Sequence, residues 1–119
     1  MRHVEHALHM AAASLLDAVL PADAAWWHVA NEGRRDAKTG AKLKALGMRA
    51  GFPDLCSAYR GRLLTIELKA PGKTMQKTQR EYRRVLERAG VICSVAHSSD
   101  AVERCVRDFG IPLRGRLSA

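Results

Sequence analysis

A tight turn at Arg60-Gly61-Arg62 joins two extended runs, Asp54 to Tyr59 and Leu63 to Lys69, and a chain so written is committed to a β-hairpin. In the second run Leu64, Ile66 and Leu68 share one face, while Leu63, Thr65, Glu67 and Lys69 share the other. Glu67 and Lys69 therefore point the same way. Asp54 lies thirteen positions before Glu67 on the partner strand, so pairing can set the two carboxylates side by side.

Two carboxylates at close range repel, and they tend to hold a proton between them unless a cation intervenes. Mg²⁺ or Mn²⁺ accepts such oxygen ligands, and the backbone carbonyl of Leu68 offers a third from the same strand. Lys69 would stand where it can hold an attacking water or steady negative charge on a phosphate. Taken alone, however, Glu67 and Lys69 read more simply as a surface ion pair on an edge strand, worth about 0–1 kcal/mol. The rest of the chain has to decide between the two.

Elsewhere the periodicity changes. Val4, Leu8, Ala11, Leu15 and Val19 mark the inner face of a first helix that Pro21 stops. Residues 25–30 read as a strand, Asn31 to Arg35 as a charged turn, and about 36–46 as a basic helix ending at Gly47. After Pro71-Gly72, Thr74 is the expected N-cap of a helix running to about Ala89, with Met75, Tyr82, Leu86 and Ala89 inward and Gln79 on the same line. A strand over 91–96 follows, then a helix capped by Ser98 or Ser99 that bears Val102, Val106 and Phe109 and ends at Gly110-Ile111-Pro112. The order predicts an α/β fold, a mixed central sheet flanked by helices. With 119 residues there is room for one domain, residues 1–112, followed by a loose basic tail over 113–119.

The chain carries 20 lysines and arginines against 12 acids, a formal charge of +8, which favours a polyanionic partner, nucleic acid first. Arg34, Arg35, Lys38, Lys42, Lys44 and Arg49, around the turn and second helix, are the candidate phosphate contacts; a solvated basic helix is the plainer reading of any one of them. Cys56, Cys93 and Cys105 form no metal or disulfide pattern and suit a reducing compartment. The N-terminus makes a poor signal peptide and no run approaches a membrane span, so a cytoplasmic protein is expected. His3, His6 and His9 recur every third position, which drifts around a helix and favours a solvated face over a zinc site. Of the adjacent Trp26 and Trp27, which could stack on bases, at least one belongs to the core.

Joined together, Lys44-Ala45-Leu46-Gly47-Met48-Arg49-Ala50-Gly51-Phe52-Pro53-Asp54, Ile66-Glu67-Leu68-Lys69, and Thr74 with Gln79 resemble the PD-(D/E)xK nuclease superfamily. More narrowly they resemble its virus-type replication-repair nuclease family, VRR-NUC, over nearly the whole chain, including a first-helix acid and the Asn-Glu-Gly-Arg-Arg turn. The resemblance implies a restriction-endonuclease-like core and metal-dependent phosphodiester cleavage. It makes Asp54 and Glu67 the metal ligands, Lys69 the catalytic base or charge stabiliser, and Gln79 a site residue on the helix, a position otherwise read as a satisfied polar group near a helix N-terminus. Glu5 matches the first-helix acid and would reach the metal through water, or else is a solvated carboxylate at the border of the buried face; Glu32 ranks lower. By resemblance to small phage-encoded members, the expected protein is a homodimer that cuts branched DNA such as Holliday junctions. Its rivals are a non-catalytic basic DNA-binding module and a sequence-specific restriction-type nuclease, the latter short of room for a recognition region.

Overall fold

The computed structural model describes residues 2–29 and 37–115. Helix α1 (Arg2–Val19) leads to strand β1 (Ala24–His28), helix α2 (Ala37–Ala45) and the hairpin of β2 (Leu55–Tyr59) and β3 (Arg62–Leu68). Helix α3 (Lys77–Arg88), strand β4 (Ile92–Ala96) and helix α4 (Ser99–Phe109) complete it. The four strands lie in the order β1-β2-β3-β4. The first two pairings are antiparallel and β3–β4 is parallel, with α3 as the crossover that a parallel pair requires. The expected mixed sheet is what forms.

β3 is an inner strand, and Leu64, Thr65, Ile66, Glu67 and Leu68 are all buried. Leu64, Ile66 and Leu68 join Leu55, Ala96, the α1 side chains Ala12 and Leu16, Leu20 just past that helix, and the α4 side chains Val102, Val106 and Phe109 in one apolar cluster. Trp26 packs against this cluster and donates its indole N–H to Asp17 Oδ1 at 2.8 Å, while Trp27 on the edge strand is exposed. His9 meets the His28 ring edge-on at 4.3 Å; among the described residues no group of three or more His, Cys, Asp or Glu is placed to hold a metal. The three cysteines are free, and burial pushes the Cys56 thiol up to about 11.

Three local expectations need correction. The buried stripe of α1 is Ala12, Leu16 and Val19, continued by Leu20 just past the helix, with Leu8 and Leu15 partly buried beside it, and Val4 and Ala11 are exposed. Three consecutive alanines and the Leu15-Leu16 pair leave the phase of the helix open by one residue, and packing on β3 decides it. The shift places Glu5 in line with Leu8, Ala12, Leu16 and Val19, so Glu5 belongs to the inner face. Second, α3 starts after Gln76, not Thr74: Gln79 reaches back so that its Oε1 accepts the Gln76 N–H at 2.7 Å, and Met75 lies outside the helix. Ala89, expected inward, is exposed; of the α3 residues only Leu86 is fully buried. Third, the start of the supposedly loose tail is tied down: Leu113 packs on the core, and Arg114 donates its backbone N–H to Val19 O at 2.8 Å and its Nε to Leu20 O at 2.6 Å. These bonds take up carbonyls that the end of α1 leaves free.

α4 forms as its sequence requires. Ser98 Oγ accepts the Ala101 N–H at 3.1 Å, and Gly110 closes the helix at φ +102°. Arg62 reaches from β3 over the Phe109 ring, 4.2 Å from its centroid, and donates to Phe109 O at 2.7 Å. Ser98→Ala should lower the unfolding free energy by about 1 kcal/mol in urea denaturation; an unchanged midpoint would show that the cap contributes nothing.

Candidate active site

The site is assembled where β2 begins, β3 ends and α3 begins. Gly51 comes first, because at φ +82° it passes so close to α3 that a Cβ there would overlap the Thr78 carbonyl and stand 2.9 Å from Gln79 N. Phe52 then packs on Tyr82, ring centroids 5.5 Å apart, and Pro53 is buried. Asp54 follows with its backbone oxygen held by Val29 N–H at 2.9 Å and with His28 Nδ1 3.1 Å away. Gly-Phe-Pro-Asp is thus a clip that fixes the carboxylate of Asp54 by packing both residues ahead of it.

Leu55 pairs with Ile66, so Asp54 comes up against the end of β3, where its Oδ2 accepts the Leu68 N–H at 2.8 Å. Glu67 presents its carboxylate to α3, and Gln79 Nε2 donates to its Oε2 at 2.7 Å. Gln79 therefore does two jobs, closing the first turn of α3 with one end of its amide and orienting Glu67 with the other. Glu67 Oε1 is buried with no hydrogen-bond partner among the described residues. Burial, reinforced by the negative charge of Asp54 and partly offset by Lys69, pushes the Glu67 carboxyl up to about 8. Lys69 is only 7% exposed, its backbone N–H bonded to Ala96 O.

These residues line one cleft of about 290 Å³, together with Glu5, Gly51, Phe52, Gln76 and Thr78. All five residues expected at the site, Asp54, Glu67, Lys69, Gln79 and Glu5, are there, and Leu68 lines it too. Glu5 is the outermost participant: its Oε2 faces the Ala70 N–H at a long 3.5 Å. The reading of Glu67 and Lys69 as an exposed edge-strand pair falls, since both are buried and β3 is an inner strand.

Lys38, Lys42 and Lys44 on α2 and Arg49 after it are exposed. Arg34, Arg35 and Glu32 lie outside the described residues. Sequence reasoning gave Gly51 and Phe52 no individual role and read Tyr82 only as an inward helix residue. The signal was present in the full Gly-Phe-Pro-Asp string, of which only the aspartate carries obvious chemistry.

The donor set suits a hard divalent cation. The carboxylates of Asp54 and Glu67 supply oxygen donors, and Glu67 Oε1, without a partner among the described residues, is a buried acceptor that such an ion would satisfy. A mixed four-stranded sheet flanked by helices, with an aspartate, a glutamate and a lysine near the ends of paired strands and a glutamine from the crossover helix, is compatible with an α/β nuclease core.

The comparisons with known proteins agree. The family model of the VRR-NUC domain matches residues 13–100, and the chain belongs to the VRR-NUC family, a nuclease-type, DNA-processing domain. That span holds Asp54, Glu67, Lys69 and Gln79 and leaves Glu5 outside. A solved VRR-NUC domain protein superposes with a TM-score of 0.66 at 22% identity, covering 90% of this chain and 88% of its own. A solved VRR-NUC domain does so with a TM-score of 0.61 at 18% identity, covering 89% and 97%. No curated protein matches.

Two outcomes are expected. Gly51→Ala places a side chain where both φ and the Thr78 backbone forbid one, and should cost roughly 2–4 kcal/mol in urea denaturation; a cost under about 0.5 kcal/mol would mean that the clip yields freely. The second concerns pH without metal. Glu67 titrates near 8 in the folded chain against a usual 4.5, so between those values the unfolded chain has released a proton that the folded chain still holds. Stability in chelator should therefore fall as pH rises from about 5 to 8, and Glu67→Gln should be relatively stabilised at pH 8 by roughly 2–4 kcal/mol. Parallel pH curves for the two proteins would contradict this.

Proposed function

We propose that this protein is a Mg²⁺- or Mn²⁺-dependent, structure-selective DNA endonuclease that hydrolyses phosphodiester bonds, with branched DNA such as Holliday junctions as its substrate. The observation that carries the metal-dependent part is the buried Glu67 beside the half-buried Asp54, with Glu67 Oε1 unpartnered among the described residues and Lys69 in the same cleft. Asp54, Glu67 and the Leu68 carbonyl would hold the cation, with Glu5 reaching it through water. When bound, the cation supplies charge neutralisation at the phosphate and lowers the pKa of water.

The remaining work falls to the chain. Gln79 holds Glu67 Oε2, so the free oxygen keeps one orientation; the Leu68 N–H does the same for Asp54. Lys69, desolvated at the end of β3, steadies the negative charge that grows on the phosphate or takes the proton of the attacking water. Lys38, Lys42, Lys44 and Arg49, with Arg34 and Arg35, contact flanking phosphates, where each contributes a salt-sensitive share of affinity. The preference for branched DNA and the homodimer rest on the family resemblance, and two symmetric sites suit a two-fold junction. Three free thiols fit a reducing, cytoplasmic setting.

Purified protein should nick junction, flap or duplex DNA when Mg²⁺ or Mn²⁺ is supplied and lose activity in chelator. Asp54→Asn, Glu67→Gln and Lys69→Ala should each reduce the single-turnover rate by about 10²–10³. Salt-sensitive binding with no cleavage in either metal on any of the three substrates would replace this reading with a binding module. Cleavage that follows base sequence instead of branch structure would make it a restriction-type nuclease. Sedimentation at micromolar concentration should give the mass of a dimer; a monomer would remove symmetric junction cleavage.

A further inference from the structure

Beside the catalytic cleft, sharing Phe52 with it, lies a second cleft of about 240 Å³ walled by Val29, Gly47, Met48, Arg49, Phe52 and Tyr82. The two differ in character. The catalytic cleft is lined mainly by carboxylates, amides and a lysine, whereas this one offers an isopropyl group, a thioether and two aromatic rings. Val29, Met48, Phe52 and Tyr82 are each only half-buried, so each keeps apolar surface to cover. Among the described residues that wall it, the one charge is cationic: Arg49 is exposed, its guanidinium touching the Lys44 and Met48 carbonyls only at 3.4 and 3.3 Å. Lys42 and Lys44 stand exposed on the helix leading to that rim.

We propose that this cleft takes an unstacked nucleobase of the DNA strand whose phosphate lies at Asp54 and Glu67. The inference rests on the nuclease reading and adds to it a means of selecting structure. An apolar, aromatic-walled recess with a guanidinium at its mouth matches the two chemistries of a nucleotide, a flat π-face inside and an anionic backbone outside. Its volume lies below the roughly 300–1,000 Å³ of pockets for drug-sized ligands, and suits one ring system. Continuity with the catalytic cleft fixes which base: Phe52 walls the recess and Asp54 follows two residues later, so the occupant belongs to a nucleotide next to the phosphate held there. A base enters such a recess most cheaply where it is already unpaired, and DNA branches with a single-stranded arm, such as flaps, supply such bases.

The test reads binding, not cleavage, so its failure is distinct from failure of the nuclease reading. Affinity for flap DNA is measured by fluorescence anisotropy in chelator, with an abasic residue moved in turn through the unpaired nucleotides nearest the branch. In the wild-type chain one position should weaken binding about tenfold when its base is removed. Against Tyr82→Ala, which opens the wall, and Met48→Trp, which fills the recess, the same removal should cost less than about twofold. Circular dichroism and thermal midpoints confirm that both variants fold, and Met48→Trp retains the Phe52–Tyr82 contact should Tyr82→Ala disturb the clip. No position mattering in the wild type, or an equal loss in wild type and both variants, overturns the proposal.

Discussion

The constraint on which the rest of this structure depends is a carboxylate on the buried inner strand of a sheet. An ionised carboxylate taken out of water and left alone costs several kcal/mol, and a neighbouring aspartate makes matters worse. The surroundings of Glu67 answer this in parts. Gln79 satisfies one oxygen, Lys69 supplies a countercharge in the same cleft, and a raised pKa lets the group stay neutral when nothing else is bound. The other oxygen is left open. An apolar residue here would avoid that desolvation cost, which is why Glu67 is the residue on which the proposed chemistry rests.

Holding that arrangement in place falls to backbone more than to side chains. The Leu68 N–H fixes Asp54, the Val29 N–H fixes the Asp54 carbonyl, and the absence of a side chain at Gly51 lets the whole segment lie against the first turn of α3. Three elements distant in sequence are thereby locked together at one point. Placement of this kind holds the carboxylates in fixed positions before anything binds between them.

The hairpin, the mixed sheet and α4 were legible in the sequence because alternation, turn chemistry and caps agreed there. The site was legible for a different reason, a joint pattern of Asp54, Glu67, Lys69 and Gln79 whose parts were each weak. What could not be read was phase and contact. Apolar doublets in α1 hid which face was inner, and with it the standing of Glu5. The start of α3 was hidden because Thr74 is a stronger N-cap by residue type than Gln76, while the bond that decides the matter comes from a glutamine three residues further on. The glycine of Gly-Phe-Pro-Asp was legible only as part of a motif string; its use is steric, and only the neighbouring helix reveals it.

Arg114 gives the molecule a polarity along α1. Glu5, near one end of that helix, lines the catalytic cleft, while Arg114 seals the other end through the carbonyls of Val19 and Leu20. Fourteen residues of helix between Glu5 and Val19 separate those points by roughly 21 Å. Gly115 lies beside the Ala18 carbonyl at that same pole, so a label on the surface there would stand clear of the cleft.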